Sequence, residues 1–119
     1  MIPKAYKLKH SDFSKLISSM GACIASDKIT VDGLKVGYMY REEPDGELDS
    51  GWRFLSGTES QEYLDDVEHL MMYDVNTIAN YDKSIIPYLL SPIGTEFIRN
   101  QETDTFQEID ISKPFSSES

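Results

Sequence analysis

Cysteine is nearly absent from this sequence. Cys23 is the one thiol in 119 residues, so no intramolecular disulfide can form and the fold must hold by packing. No run approaches the ~20 apolar residues that a membrane-spanning helix requires. The first nine residues carry lysines but no apolar core behind them, so they do not read as a secretory signal. Together these absences favour a reducing, cytoplasmic setting.

Chemistry-bearing patterns are scarce as well. The two histidines, His10 and His69, lie on different segments without metal-ligand spacing, and no His-Glu-x-x-His or paired-cysteine motif occurs. The seven glycines are scattered at turns and form no phosphate-cradling loop. Glu43, Asp45, Glu47 and Asp49 alternate as calcium ligands would, but glycine directly follows Asp45 and the twelve-residue register of an EF-hand loop fails. No pair of carboxylates is singled out for acid–base work. The expected chain is therefore a binding protein without catalytic residues, metal or cofactor.

What is present is a sizeable apolar fraction and a localised charge. Hydrophobic residues make up 39% and aromatic residues 11%, enough for one domain over 1–119 with an ordered core at about 10–110 and a flexible serine-rich tail at 111–119. The net charge is −10. Eleven acids fall between Glu42 and Asp74, with Arg53 the only Lys or Arg among them. Elsewhere ten acids and ten bases cancel. A field of this sign repels nucleic acid and anionic membrane and speeds encounter with a basic protein. The candidate partner-binding residues are Glu42, Glu43, Asp45, Glu47, Asp49, Asp65, Asp66 and Asp74, with Trp52 as an aromatic anchor.

Apolar spacing supplies the fold. Phe13, Leu16, Ile17 and Met20 predict a helix over 11–20 that stops at Gly21. Short strands are expected at 22–26 and 29–31, with a tight turn at Asp32-Gly33. Residues 34–41 alternate, with Leu34, Val36, Tyr38 and Tyr40 on one face. A loop at 42–47 leads to a strand at 52–56. Trp52, Phe54, Tyr38 and Tyr40 read as core residues of the sheet. Thr58 with Gln61 resembles a capping box, and Leu64, Val67, Leu70 and Met71 follow at helical spacing. Asp74, and then Asp82 or Ser84, are expected to cap two further short helices. Residues 95–99 and 105–109 read as a last hairpin. The predicted fold is α+β: a twisted antiparallel sheet, made of a central meander plus a C-terminal hairpin, with helices from 11–20 and 59–90 on one face.

Three ordered blocks carry a resemblance: Cys23-Ile24-Ala25-Ser26-Asp27, then Val36-Gly37-Tyr38-Met39-Tyr40-Arg41-Glu42-Glu43-Pro44, then Asp49-Ser50-Gly51-Trp52-Arg53-Phe54. Tyr73-Asp74-Val75-Asn76-Thr77-Ile78-Ala79-Asn80-Tyr81-Asp82, Ile85-Ile86-Pro87 and Ser91-Pro92-Ile93-Gly94 continue it. From about Cys23 to Phe97 the chain resembles the bacterial immunity protein 33 family of polymorphic toxin systems. The resemblance implies a protein that binds and blocks a cognate toxin, with no catalytic residues to carry over. It also makes 49–54 a structural signature, with Gly51 and Trp52 suiting a strand entry and a core. A small regulatory or adaptor domain holding a peptide or ligand against Trp52 and Tyr40 is the alternative reading.

Overall fold

A computed structural model describes residues 4–109. The expected serine-rich tail lies outside the described residues. The six strands are β1 (Ala22–Ser26), β2 (Tyr38–Arg41), β3 (Asp49–Leu55), β4 (Leu70–Asp74), β5 (Glu96–Asn100) and β6 (Thr105–Ile109). They form one sheet in the order β4-β1-β3-β2-β5-β6. The α+β class holds, but the sheet is mixed: β1 runs parallel to β3, and every other pair is antiparallel.

The parallel pair follows from what happens after β1. The expected strand at 29–31 is instead helix α1 (Asp27–Thr30). Ser26 caps it, its side-chain oxygen accepting from the Lys28 N–H at 3.0 Å. Gly33, at φ 79°, ends it by donating to the Ile29 carbonyl, so Asp32-Gly33 is a helix stop and not a hairpin turn. The chain then reaches β2 on the far side of β3, and the 42–48 loop reverses it into β3 alongside β1. Gly51, at φ 91°, is the tight point of β3, where a Cβ would sit 2.2 Å from the Glu42 carbonyl oxygen.

Two expected helices are replaced. Over 11–20 only a 3-10 turn at His10–Asp12 forms. The remainder lies along helix α3 (Val75–Tyr81), and two asparagines supply its backbone partners. The Asn76 carboxamide accepts from Leu16 and Ile17 and donates to the Ser14 carbonyl, and Asn80 both accepts from and donates to Ser14. Satisfied in this way, the segment needs no helical ladder, and Leu16, Ile17 and Met20 still pack against the core.

Over 61–71, helix α2 (Gln61–Leu64) lasts one turn, capped by Ser60 and not Thr58. Asp66 then caps a separate 3-10 turn at Val67–His69, which breaks the helical run. Leu70 and Met71 become the start of β4, paired with Ser26 and Ala25. Asp74 does precede α3, though without a side-chain bond, and Asp82 caps a 3-10 helix at Lys83–Tyr88.

The core lies between one sheet face and residues 75–89. Trp52, Phe54, Met39 and Phe97 meet Val75, Ile78 and Ile85, all buried. Trp52 stacks on Phe54 at 5.8 Å and donates its indole N–H to the Leu89 carbonyl at 3.0 Å. Buried Arg99 ties β5 to this layer through Asp82 at 2.6 Å and the Val36 carbonyl at 2.7 Å. The expected grouping of Tyr38 and Tyr40 with Trp52 and Phe54 is corrected. Met39 pairs with Phe54 and Arg41 with Trp52, so the two tyrosines point to the opposite face.

Candidate interaction surface

Strand register sorts the eleven acids into two groups. Ala22 pairs with both Asp49 and Asp74, which places Glu42, Glu43, Asp45, Glu47, Asp49 and Asp74 at one end of the sheet. Glu59, Glu62, Asp65, Asp66 and Glu68 belong to the segment joining Leu55 to Leu70, at the other end. The length of β3 separates the groups by roughly 20 Å at ~3.3 Å per residue. The charge is contiguous in sequence and divided in space.

At the first end the acids surround Arg53. Its guanidinium holds Asp49 with two bonds of 2.8 and 3.0 Å and Glu42 with one of 2.6 Å. Arg53 and the Asp49 side chain are both buried, at 6% and 9% exposure. The Arg53 hydrogen bonds hold the Asp49 carboxyl well below the usual carboxylate range, and those bonds also raise Arg53. Asp49 further accepts from the Asp45 and Gly51 N–H groups at 2.7 and 2.9 Å, which fixes the 45–51 turn. Asp49 thus serves the fold. Glu43, Asp45 and Glu47 stand exposed beside Leu48, a residue 82% exposed whose carbonyl accepts from the Ala22 N–H.

At the second end, Glu62, Asp65, Asp66 and Glu68 are exposed. Glu59 is turned inward. Burial works against its charge, but hydrogen bonds, first from the Ser56 N–H and then from the Ser26 and Ser56 hydroxyls, outweigh that and lower its pKa. Asp74 is exposed at the end of β4. Trp52 is fully buried in the opposite face and presents nothing to a partner.

Between the two ends lies the sheet face that the core does not use. One row of side chains crosses all six strands on it, Met72–Ile24–Arg53–Tyr40–Glu96–Ile109. Beside it run Leu55, Tyr38, Ile98 and Gln107. Met72 and Ile98 are 68% and 48% exposed. Helix α2 borders this face: Leu64 joins Ile24, Tyr40, Arg53, Leu55 and Leu70 around a hollow of about 170 Å³. The Tyr38 and Tyr40 rings lie 5.5 Å apart, and the Tyr38 hydroxyl donates to Glu96 at 2.8 Å. Burial, then that bond, pushes Tyr38 up to about 12; burial, then the charge of Glu42, raises Tyr40.

The model of the immunity protein Imm33 domain matches residues 23–110. The chain belongs to the Imm33 family. The match starts at Cys23 on β1 and runs past β6, so all six strands and both acidic ends are family structure, while the segment laid along α3 is outside it. Membership gives the chain an immunity function and, with it, a protein partner in general. No curated protein and no solved structure matches the chain. Among the described residues, no helix is long and apolar enough to cross a membrane.

The sequence brings out the acids but not the face between them. Alternation in 34–41 separates two sets of side chains without saying which set the helices cover. Only pairing with Trp52 and Phe97 decides that. Glu96 and Ile98 lie more than fifty residues from Tyr40 and Tyr38, with no local signal linking them.

Proposed function

We propose that this protein neutralises a cognate toxin of a polymorphic toxin system by direct binding, in the cytoplasm, as a single domain and without catalysis of its own. The observation that carries the reading is the family match over residues 23–110. The charge supports a basic toxin domain as partner, because a surface at −10 accelerates encounter with positive charge. Of the candidate acids, Glu43, Asp45, Glu47, Asp65, Asp66 and Asp74 are exposed, with Glu42 half-exposed beside them. The adaptor reading is weaker. Trp52 is enclosed on the face opposite Tyr40, so one ligand cannot rest against both.

The test is a search for a toxin gene directly upstream, followed by co-expression of the two genes. Restored growth and co-purification of the two chains are expected. Growth arrest despite a folded, abundant protein would rule the reading out. In the purified pair, lysine at Glu43, Glu47, Asp65 and Asp66 should slow association in a salt-dependent way.

A further inference from the structure

Resting on that reading, we propose that the partner docks on the open sheet face and sets an arginine or lysine side chain over Tyr40, between Glu42 and Glu96. Three observations carry this.

The face is apolar and partly uncovered. Met72 and Ile98 are exposed, with Ile24, Leu55, Tyr38 and Tyr40 half-buried among them. Tyrosines on a rigid sheet are efficient contact residues, losing little rotamer freedom on binding.

The charge of the face is set for a cation. Glu42 and Asp49 pair with Arg53, and Glu96 lies on the far side of Tyr40 from it, so three carboxylates and one guanidinium leave two negative charges in excess. The Arg53 charge is already balanced by the carboxylates it binds.

The two flanking carboxylates are half-used. Glu96 accepts the Tyr38 hydroxyl through Oε1, and Glu42 accepts Arg53 Nε through Oε2. Each is thereby oriented and keeps its second oxygen for a donor. An aromatic ring with a carboxylate on either side is the chemistry that holds guanidinium or ammonium.

The probe is the capped peptide acetyl-Gly-Arg-Gly-Arg-Gly-amide, titrated into ¹⁵N-labelled protein. Its control replaces both arginines by citrulline, which keeps the shape and removes the charge. Shifts should centre on residues 38–42 and 96–98 and vanish with citrulline. Tyr40→Leu and Glu96→Gln should each weaken binding about two- to fivefold. Glu96→Gln is isosteric and Tyr40→Leu keeps an apolar side chain on the face, and a dispersed spectrum checks the fold. Neutralising the loop with E43Q/D45N/E47Q should leave the map in place. Shifts centred on 43–47 or 59–68, or wild-type affinity in both Tyr40→Leu and Glu96→Gln, would overturn the proposal.

The growth assay separates this from the broader reading. Full protection by a Y40L/E96Q double variant together with wild-type affinity for the co-purified toxin overturns the docking face and leaves the immunity role standing. Failure of the wild-type chain to protect overturns the immunity role, while the peptide map still decides the face.

Discussion

Arg53 shows how one residue changes the meaning of its neighbours. In the sequence it is the lone base in an acidic stretch; in the fold it organises that stretch. Its loss strands the Asp49 carboxylate, 9% exposed, without a counter-charge. Arg53→Met should therefore cost about 3–5 kcal/mol in urea unfolding. Asp49→Asn should cost less, because Arg53 keeps Glu42. The same pair sets a pH dependence. The folded pKa of Asp49 lies below its unfolded value of about 4, so its contribution is complete above that pH. It is lost as pH falls through the folded value. Glu59 acts in the same direction. The urea midpoint should fall steeply below about pH 4 in the wild type and less steeply in Asp49→Asn. A parallel decline in the two proteins would contradict this role.

Among the elements, strands were legible and helices less so. Residues 34–41 alternate, 52–56 sort onto two faces, and 95–99 with 105–109 read as a hairpin; β2, β3, β5 and β6 lie within a few residues of those bounds. The helix expected at 11–20 failed because the stripe Phe13, Leu16, Ile17 and Met20 reports burial, not backbone form. Asn76 and Asn80, sixty residues away, supply the hydrogen bonds that make a non-helical path equally good. Asn76→Ala should leave the Leu16 and Ile17 N–H groups without that acceptor. A cost of about 1–3 kcal/mol is expected, with faster amide exchange at 14–17 and little change in the sheet. The apolar run near 70 failed for the opposite reason. Asp66 interrupts the helix, and the free edge of β1 takes Leu70–Asp74 as a strand. The parallel pairing of β1 had no local signature, since it depends on where the chain re-enters after α1. Gly51 tests the hairpin directly. Gly51→Ala forces a side chain against the Glu42 carbonyl at positive φ and should cost more than about 1 kcal/mol, read from the thermal midpoint.

For the whole molecule, the split of acidic charge into two ends has a measurable signature. Lysine at Glu43, Asp45 and Glu47, or at Glu62, Asp65 and Glu68, alters one end only. Each set should lower the association rate with a basic partner, and the two effects should add, because ~20 Å exceeds the Debye length of about 8–10 Å at ordinary salt. Both effects should shrink in concentrated salt. A rate that responds to one set alone would place the encounter at that end. The position of β1 has a consequence of another kind, in the order of assembly. The β2–β3 hairpin closes across seven residues, 42–48, whereas β1 reaches β3 only across twenty-two, 27–48. That longer closure costs about 1 kcal/mol more in chain entropy. The hairpin is thus the natural nucleus, with high φ values at Met39 and Phe54, and β1 joins later at low φ. Core substitutions on β1, such as at Cys23 or Ala25, should hasten unfolding more than they slow folding. How long the protein survives in a cell then depends on how firmly β1, inserted between β3 and β4, stays in place.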